Sequence, residues 1–221
     1  MNIAVIPARM GSQRLARKNL RELGGLPLIV RAIRKCREAG CFDEIWVNSE
    51  HTDFQLIAEE EGVFFHQRPS ELGSNTATSE QYIAEFLEKH PCERVFQVHS
   101  IAPFVTVGDI RGFVEFAAGS SHDCVLSTED IQIECIYDNE PVNFTYHEKT
   151  NSQDLQPVLR VSWSITSWRR EAYLEAFRAG KCATYSGSVG HYTLNKLASH
   201  VIKTESDLQF AEALLSLGNE C

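Results

Sequence analysis

Asn2-Ile3-Ala4-Val5-Ile6-Pro7-Ala8-Arg9-Met10-Gly11-Ser12-Gln13-Arg14-Leu15-Ala16-Arg17-Lys18-Asn19-Leu20 decides the reading of this chain. Its first third is an apolar run ending at a proline, the pattern of a strand buried on both faces. The rest is a loop carrying Arg9, Arg14, Arg17 and Lys18, with Gly11 and Ser12 among them and Arg21 just beyond. A buried strand running into a small-residue loop dense in cations suits a polyphosphate. Backbone N–H groups cradle its oxygens while Arg and Lys offset its charge. A basic solvated face is the plainer explanation of a charge run, but the preceding strand and the Gly-Ser pair favour the anion site.

Composition sharpens this. Of 21 Lys and Arg residues, nine fall in the first 37 positions against one acid, Glu22, which leaves 12 bases against 29 acids in the remainder. The net charge of −9 and pI near 5.4 argue against general affinity for nucleic acid or anionic membrane. Positive charge confined to one place points to a small anionic ligand. At 221 residues and 43% hydrophobic content the chain can bury one ordinary core, and residues 1–221 read as one domain. Seven cysteines, an odd number without CxxC spacing, several of them inside apolar runs, read as reduced thiols of a cytoplasmic protein. Met1 leads directly into the strand, so no signal peptide is expected, and no apolar run reaches membrane-spanning length.

Beyond the loop the pattern alternates. Strands are expected at Asn2–Pro7, Glu44–Ser49, Val63–His66, Arg94–His99 and Cys124–Ser127. Helices are expected from Pro27 to near Gly40, over Asp53–Glu61 and Ser79–Lys89, and from a Thr106/Asp109 capping box to near Ala118. Strands separated by helices of this length imply right-handed crossovers: an α/β fold with a mostly parallel, doubly wound sheet. Ligands of such sheets sit beyond the carboxyl ends of the strands. The basic loop, Asn48-Ser49-Glu50, Arg68 and His99-Ser100 all fall there. From 131 to 162 the rhythm breaks into polar sequence, an excursion suited to a lid or a dimer contact. A helix over Trp168–Ala179, late strands at Ala183–Ser186 and Ser199–Lys203, and a capped final helix ending near Leu217 complete the pattern.

The loop is neither a Walker loop nor a GxGxxG turn. It resembles the opening of the cytidylyltransferases that activate eight- and nine-carbon ulosonic acids, above all the CMP-sialic acid synthetases and their pseudaminate and legionaminate relatives. Their I-P-A-R-G-G-S-K-x-x-x-x-K-N followed by L-x-G-x-P-L-I is matched by Ile6-Pro7-Ala8-Arg9, Gly11-Ser12, Lys18-Asn19 and Leu23-Gly24-Gly25-Leu26-Pro27-Leu28-Ile29. Arg68-Pro69-Ser70-Glu71-Leu72 resembles R-P-x-E-L, and Ser152-Gln153-Asp154-Leu155 with Pro157 resembles S-Q-D-L-P-P.

The resemblance implies a Rossmann-like nucleotidyltransferase fold in which CTP and a sugar acid give CMP-sugar and pyrophosphate. Arg9 and Lys18 would be catalytic, stabilising the departing phosphates with the Gly11 and Ser12 amides. Ala8, Asn19, Arg68 and Ser79 would complete the nucleotide site, Arg68 at the cytosine edge. Ser79 alternatively caps the helix that follows. His99 and Gln153 would meet the sugar, and the excursion would pair two copies as a homodimer.

Three stretches depart from the pattern. Magnesium is the cofactor the resemblance implies, held by an I-D-I-D segment, but His200-Val201-Ile202-Lys203 stands there, without hard oxygen ligands at Val201 and Lys203. His99 stands where the family's Q-P-T-S-P has its glutamine, and Ser162-Trp163-Ser164-Ile165-Thr166 stands for its N-G-A-I-Y strand. The alternatives are therefore a non-catalytic nucleotide or nucleotide-sugar binder, or a nucleotidyltransferase using another base or a sugar 1-phosphate.

Overall fold

The computed structural model describes residues 1–218, so Cys221 lies outside the described residues. In chain order it contains β1 (Asn2–Pro7), a hairpin of β2 (Glu22–Leu23) and β3 (Leu26–Pro27), α1 (Leu28–Ala39), β4 (Glu44–Ser49), α2 (Asp53–Glu60), β5 (Phe64–Gln67), α3 (Ser79–Lys89), β6 (Arg94–Val98), α4 (Val107–Gly119) and β7 (Cys124–Ile131). There follow a second hairpin of β8 (Ile136–Tyr137) and β9 (Glu140–Pro141), then β10 (Val158–Arg169), α5 (Arg170–Arg178), β11 (Val189–Thr193) and α6 (Glu205–Ser216).

Seven strands form one sheet in the order β11-β7-β10-β6-β1-β4-β5. All neighbours are parallel except β10, which runs antiparallel between β6 and β7. The sheet is mostly parallel and doubly wound, as the alternating pattern predicts. β1 lies near its middle, and Ile3, Ala4, Val5 and Ile6 are fully buried, which is why that strand reads as an unbroken apolar run. One face packs Ala4, Ile6, Val47 and Phe96 against α1, α2 and α4. The other packs Ile3, Val5 and Val95 against α3 and α5. Helix starts follow local chemistry: Thr78 with Gln81, Thr106 with Asp109 and Thr204 with Asp207 each close a reciprocal capping box.

Three sequence expectations are corrected. Trp168 and Arg169 finish β10 instead of opening a helix; Trp168 is buried, and its indole N–H donates to the Thr184 carbonyl. Ala183–Tyr185 is a 3-10 turn and 199–203 is irregular, while the late strand is Val189–Thr193, parallel to β7. Residues 158–162 are part of β10, so the excursion from the sheet spans 132–157. The polar look of β10 misleads because most of its buried hydroxyls find partners inside the protein. Ser127 Oγ meets Ser162 Oγ at 2.8 Å and accepts from the Ile165 amide, and Ser164 Oγ donates to the Ala198 carbonyl at 2.7 Å. A register shift between Val161 and Thr166 holds Trp163 at φ 59°, a strained conformation for a bulky residue.

Candidate active site

Beyond the carboxyl ends of β1, β5 and β6 lies a cleft of about 370 Å³. Its lining includes Ala8, Arg9, Ser12, Lys18, Asn19, Arg68, Ser79 and His99, together with Arg14, Ser74, Asn75, Tyr82 and Ser100. Gly11 sits on the exposed rim of the loop, where a Cβ would meet nothing within 4 Å. Gln153 lies apart, exposed on the excursion, its carbonyl accepting from Gln132. Among the described residues no helix is long and apolar enough to cross a membrane.

The loop is built rather than slack. The Ala8 amide bonds the Asn48 carbonyl at 2.9 Å and prolongs the β1–β4 pairing by one residue. Met10 N donates to Glu50 Oε1 at 2.8 Å. Leu15, 4% exposed, anchors the middle of the loop in a small core with Leu23, Leu28, Phe104 and Ile202. Asn19 ties the two ends, accepting from the Arg9 amide at 3.4 Å and donating to Ser100 Oγ at 2.8 Å. The cations between these anchors project from a fixed frame, which limits the conformational entropy a ligand must remove.

Electrostatics concentrate on Lys18. Its ammonium is half-buried, and burial together with Arg14, Arg9 and Lys203 pulls its pKa down to about 8, with Asp207 opposing. Like charges held this close await an anion. Arg9 reaches across the cleft to the Ser74 carbonyl and Asn75 Oδ1, each at 3.2 Å, contacts on the exposed side that phosphate oxygens can replace.

Arg68, 3% exposed, is largely committed internally. It donates to the Ala8 carbonyl at 2.8 Å and Glu50 Oε2 at 3.0 Å and lies over the Tyr82 ring at 4.7 Å, with only Nε lacking a partner. Burial lowers its pKa, and Glu50 and Tyr82 counter the shift. In this arrangement Arg68 braces the loop through Glu50. The sequence places Glu50 at the ligand end of the sheet but gives it no role, because that role depends on a contact between loops 18 residues apart. Gly73 makes room for it: a Cβ there would stand 2.5 Å from Glu50 Cγ. Ser79 does not cap α3, since Thr78 does, and is free to face the cleft. His99 lies close to Lys18, and burial first, Lys18 second, lowers its pKa to about 4, so its ring is neutral at pH 7.

The donor set near the final helix does not fit a hard divalent cation. Val201 packs against the core, and Asp207 Oδ2 already accepts from the Lys203 and Thr204 amides and the Thr204 hydroxyl. The Lys203 ammonium stands near enough to depress Lys18. Among the described residues no three His, Cys, Asp or Glu side chains gather as a metal site.

Known proteins are similar to this chain in fold and in sequence. The structure of a CMP:2-keto-3-deoxy-manno-octonic acid synthetase complexed with CTP superposes with a TM-score of 0.73 at 14% identity, covering 98% of this chain and 99% of that one. At that identity the likeness shows the fold alone. N-acylneuraminate cytidylyltransferases are similar at 26% identity over 93% of this chain and 51% of the protein from Streptococcus agalactiae serotype V, and at 24% over 82% and 44% for Oncorhynchus mykiss. The chain thus spans about half the length of these curated relatives. A 3-deoxy-manno-octulosonate cytidylyltransferase from Gemmatimonas aurantiaca is 25% identical over 77% of this chain and 72% of its own. Because the family model for cytidylyltransferases matches residues 3–217, nearly the whole sequence, the chain belongs to the cytidylyltransferase family, as a divergent relative of the N-acylneuraminate cytidylyltransferases.

Proposed function

We propose that the protein transfers a cytidylyl group from CTP to a hydroxyl of an acidic ulosonic sugar and releases pyrophosphate. The observation that carries this reading is the cleft itself: Arg9, Arg14 and Lys18 converge on one cavity of a protein whose net charge is −9. In phosphoryl transfer the barrier is charge on the transferring and leaving oxygens, so catalysis is positioning and electrostatic stabilisation. Arg9 and Lys18 stabilise the charge growing on the β- and γ-phosphates as the bond to the α-phosphorus breaks, aided by the Gly11 and Ser12 amides. Losing one such donor costs about 2.7–4 kcal/mol of transition-state energy, by analogy with an oxyanion hole. Asn19 and Ser79 hold the nucleotide. Lys203 adds a further positive charge where an acid pair would hold a metal, and magnesium in our reading arrives with the nucleotide as part of the substrate.

The excursion supports pairing with a second copy. Ile133, Ile136, Tyr137, Val142 and Tyr146 are all more than half exposed there, an apolar surface a monomer would rarely leave wet. The test is incubation with CTP, Mg²⁺ and a panel of ulosonic acids while pyrophosphate is followed. Release with one acid and preference for CTP over GTP and UTP support the reading; silence across the panel overturns it. The unmatched metal donors favour a second reading, a nucleotide or nucleotide-sugar binder without turnover, which predicts CTP binding and no pyrophosphate.

A further inference from the structure

The loop cations Arg9, Arg14 and Lys18 line the cleft, and a fourth cation joins them from the far end of the chain. Segment 201–207, which leads into α6, is held against the cleft by three ties. The Ile202 amide donates to the Ile101 carbonyl at 2.8 Å, and Ile101 lines the cleft. The Ile202 side chain is fully buried in one small core with Leu15, from the middle of the basic loop. Arg21, just past Lys18, pairs with Glu205 through two hydrogen bonds of 2.8 Å. Lys203 stands between Ile202 and Glu205, its side chain exposed and its ammonium near enough to Lys18 to help lower that residue's pKa to about 8.

The charges in this group do not balance. Lys18 feels the cations Arg14, Arg9 and Lys203, and against them the carboxylate of Asp207. Four cations less one acid leave a surplus of three positive charges. Glu50, the other acid tied to the loop, is paired with Arg68. Asp207 is occupied as well, since its Oδ2 accepts from the Lys203 and Thr204 amides and the Thr204 hydroxyl. A divalent ion placed here would meet a surplus of like charge, and among the described residues no three His, Cys, Asp or Glu side chains gather to hold it. The surplus suits an anion of high charge instead. A nucleoside triphosphate with its γ-phosphate ionised carries about four negative charges, and a bound divalent ion leaves about two. The metal-free form therefore gains more from this group of cations.

We propose that the cleft is matched to a triphosphate without a bound metal ion, Lys203 supplying positive charge that a coordinated cation would otherwise bring, so that magnesium carried in by the nucleotide is dispensable for binding. The proposal rests on the cytidylyl-transfer reading above in taking CTP as the ligand. An ammonium held on a tied segment is a point charge already in place, so no ion has to be recruited before the nucleotide is neutralised. Its side chain is exposed, so its effect acts through solvent and is screened by salt.

The experiment is calorimetric titration of CTP in EDTA and, separately, in excess Mg²⁺, at low salt, for the unsubstituted protein, Lys203→Met and Lys203→Arg. The backbone amide of Lys203, not its side chain, bonds Asp207, so neither substitution removes that tie. The unsubstituted protein should bind CTP in EDTA at least as tightly as in Mg²⁺. Lys203→Met should weaken binding in EDTA by about tenfold and in Mg²⁺ by about threefold or less, because the ion has already cancelled part of the ligand's charge. It should also move the alkaline fall in CTP affinity to higher pH, since one of the cations that depress Lys18 is gone. Lys203→Arg keeps the charge and should follow the unsubstituted protein. Tighter binding in Mg²⁺ than in EDTA by the unsubstituted protein, or a Lys203→Met variant that binds both forms unchanged, overturns the proposal. The titrations need no sugar acid. Affinities as expected with no pyrophosphate released from any acid would therefore refute the transfer reading and leave this proposal standing.

Discussion

The state of Lys18 makes a quantitative prediction about nucleotide binding. In the free protein burial and the neighbouring cations Arg14, Arg9 and Lys203 lower its pKa to about 8, so it is charged at pH 7 and mostly neutral by pH 9. A bound triphosphate favours the charged ammonium and should restore the pKa to at least its ordinary value, roughly 10.5. The sign follows: binding takes up a proton wherever Lys18 is neutral when free and charged when bound. CTP affinity should be flat up to about pH 8 and then fall, by roughly tenfold at pH 9, or about 1.4 kcal/mol. The triphosphate does not titrate in this range, since a phosphate's second pKa is about 6. Calorimetry in buffers of different ionisation enthalpy should show about half a proton taken up per CTP near pH 8. Lys18→Arg keeps its charge throughout, so it should bind equally at pH 7 and pH 9 with no uptake. Affinity that stays level to pH 9 in the unsubstituted protein would refute this account of Lys18.

Two further predictions follow from the frame around the cleft. Gly73→Ala sets a methyl 2.5 Å from Glu50 Cγ, and Glu50 is tied to Arg68 and the Met10 amide, so overpacking should cost about 1–3 kcal/mol and weaken CTP binding as the loop shifts. Unchanged melting temperature and affinity would mean that Glu50 swings aside freely. Acid should also destabilise the fold through His99. Its folded pKa of about 4 lies below the unfolded value near 6.5, so the unfolded chain binds the extra proton and stability is lost as pH falls through that window. By pH 4.5 the loss is roughly 2.5 kcal/mol, and urea titrations of His99→Gln should show a pH dependence shallower by that amount. Identical slopes would refute it.

The sequence is legible where one physical signal dominates. β1, β4 and α3 fall on their expected residues because an apolar run or a helical repeat marks each, and the Thr106 and Thr204 boxes follow from side-chain reach alone. The cleft is legible for the same reason, since nine cations against one acid is a signal no core requirement produces. β10 and β11 are obscure because β10 buries the polar Ser162, Ser164, Thr166 and Ser167, with Ser162 meeting Ser127, Ser164 the Ala198 carbonyl and Ser167 the Arg94 guanidinium, and Gly190 and His191 interrupt the apolar pattern of β11. The roles of Glu50 and Asn75 need tertiary register, and no spacing in the chain records it.

The central claim, that the triphosphate lies against the amino-terminal loop, is tested most directly by calorimetric titration of CTP into the doubly reversed variant Arg9→Glu, Lys18→Glu. Lys181→Glu, a charge reversal at an exposed site outside the cleft, is the control. Charged hydrogen bonds contribute about 1.5–3 kcal/mol each, so the double variant should bind at least about 10²-fold more weakly while Lys181→Glu stays near the unsubstituted value. Equal affinity in all three proteins would contradict the account.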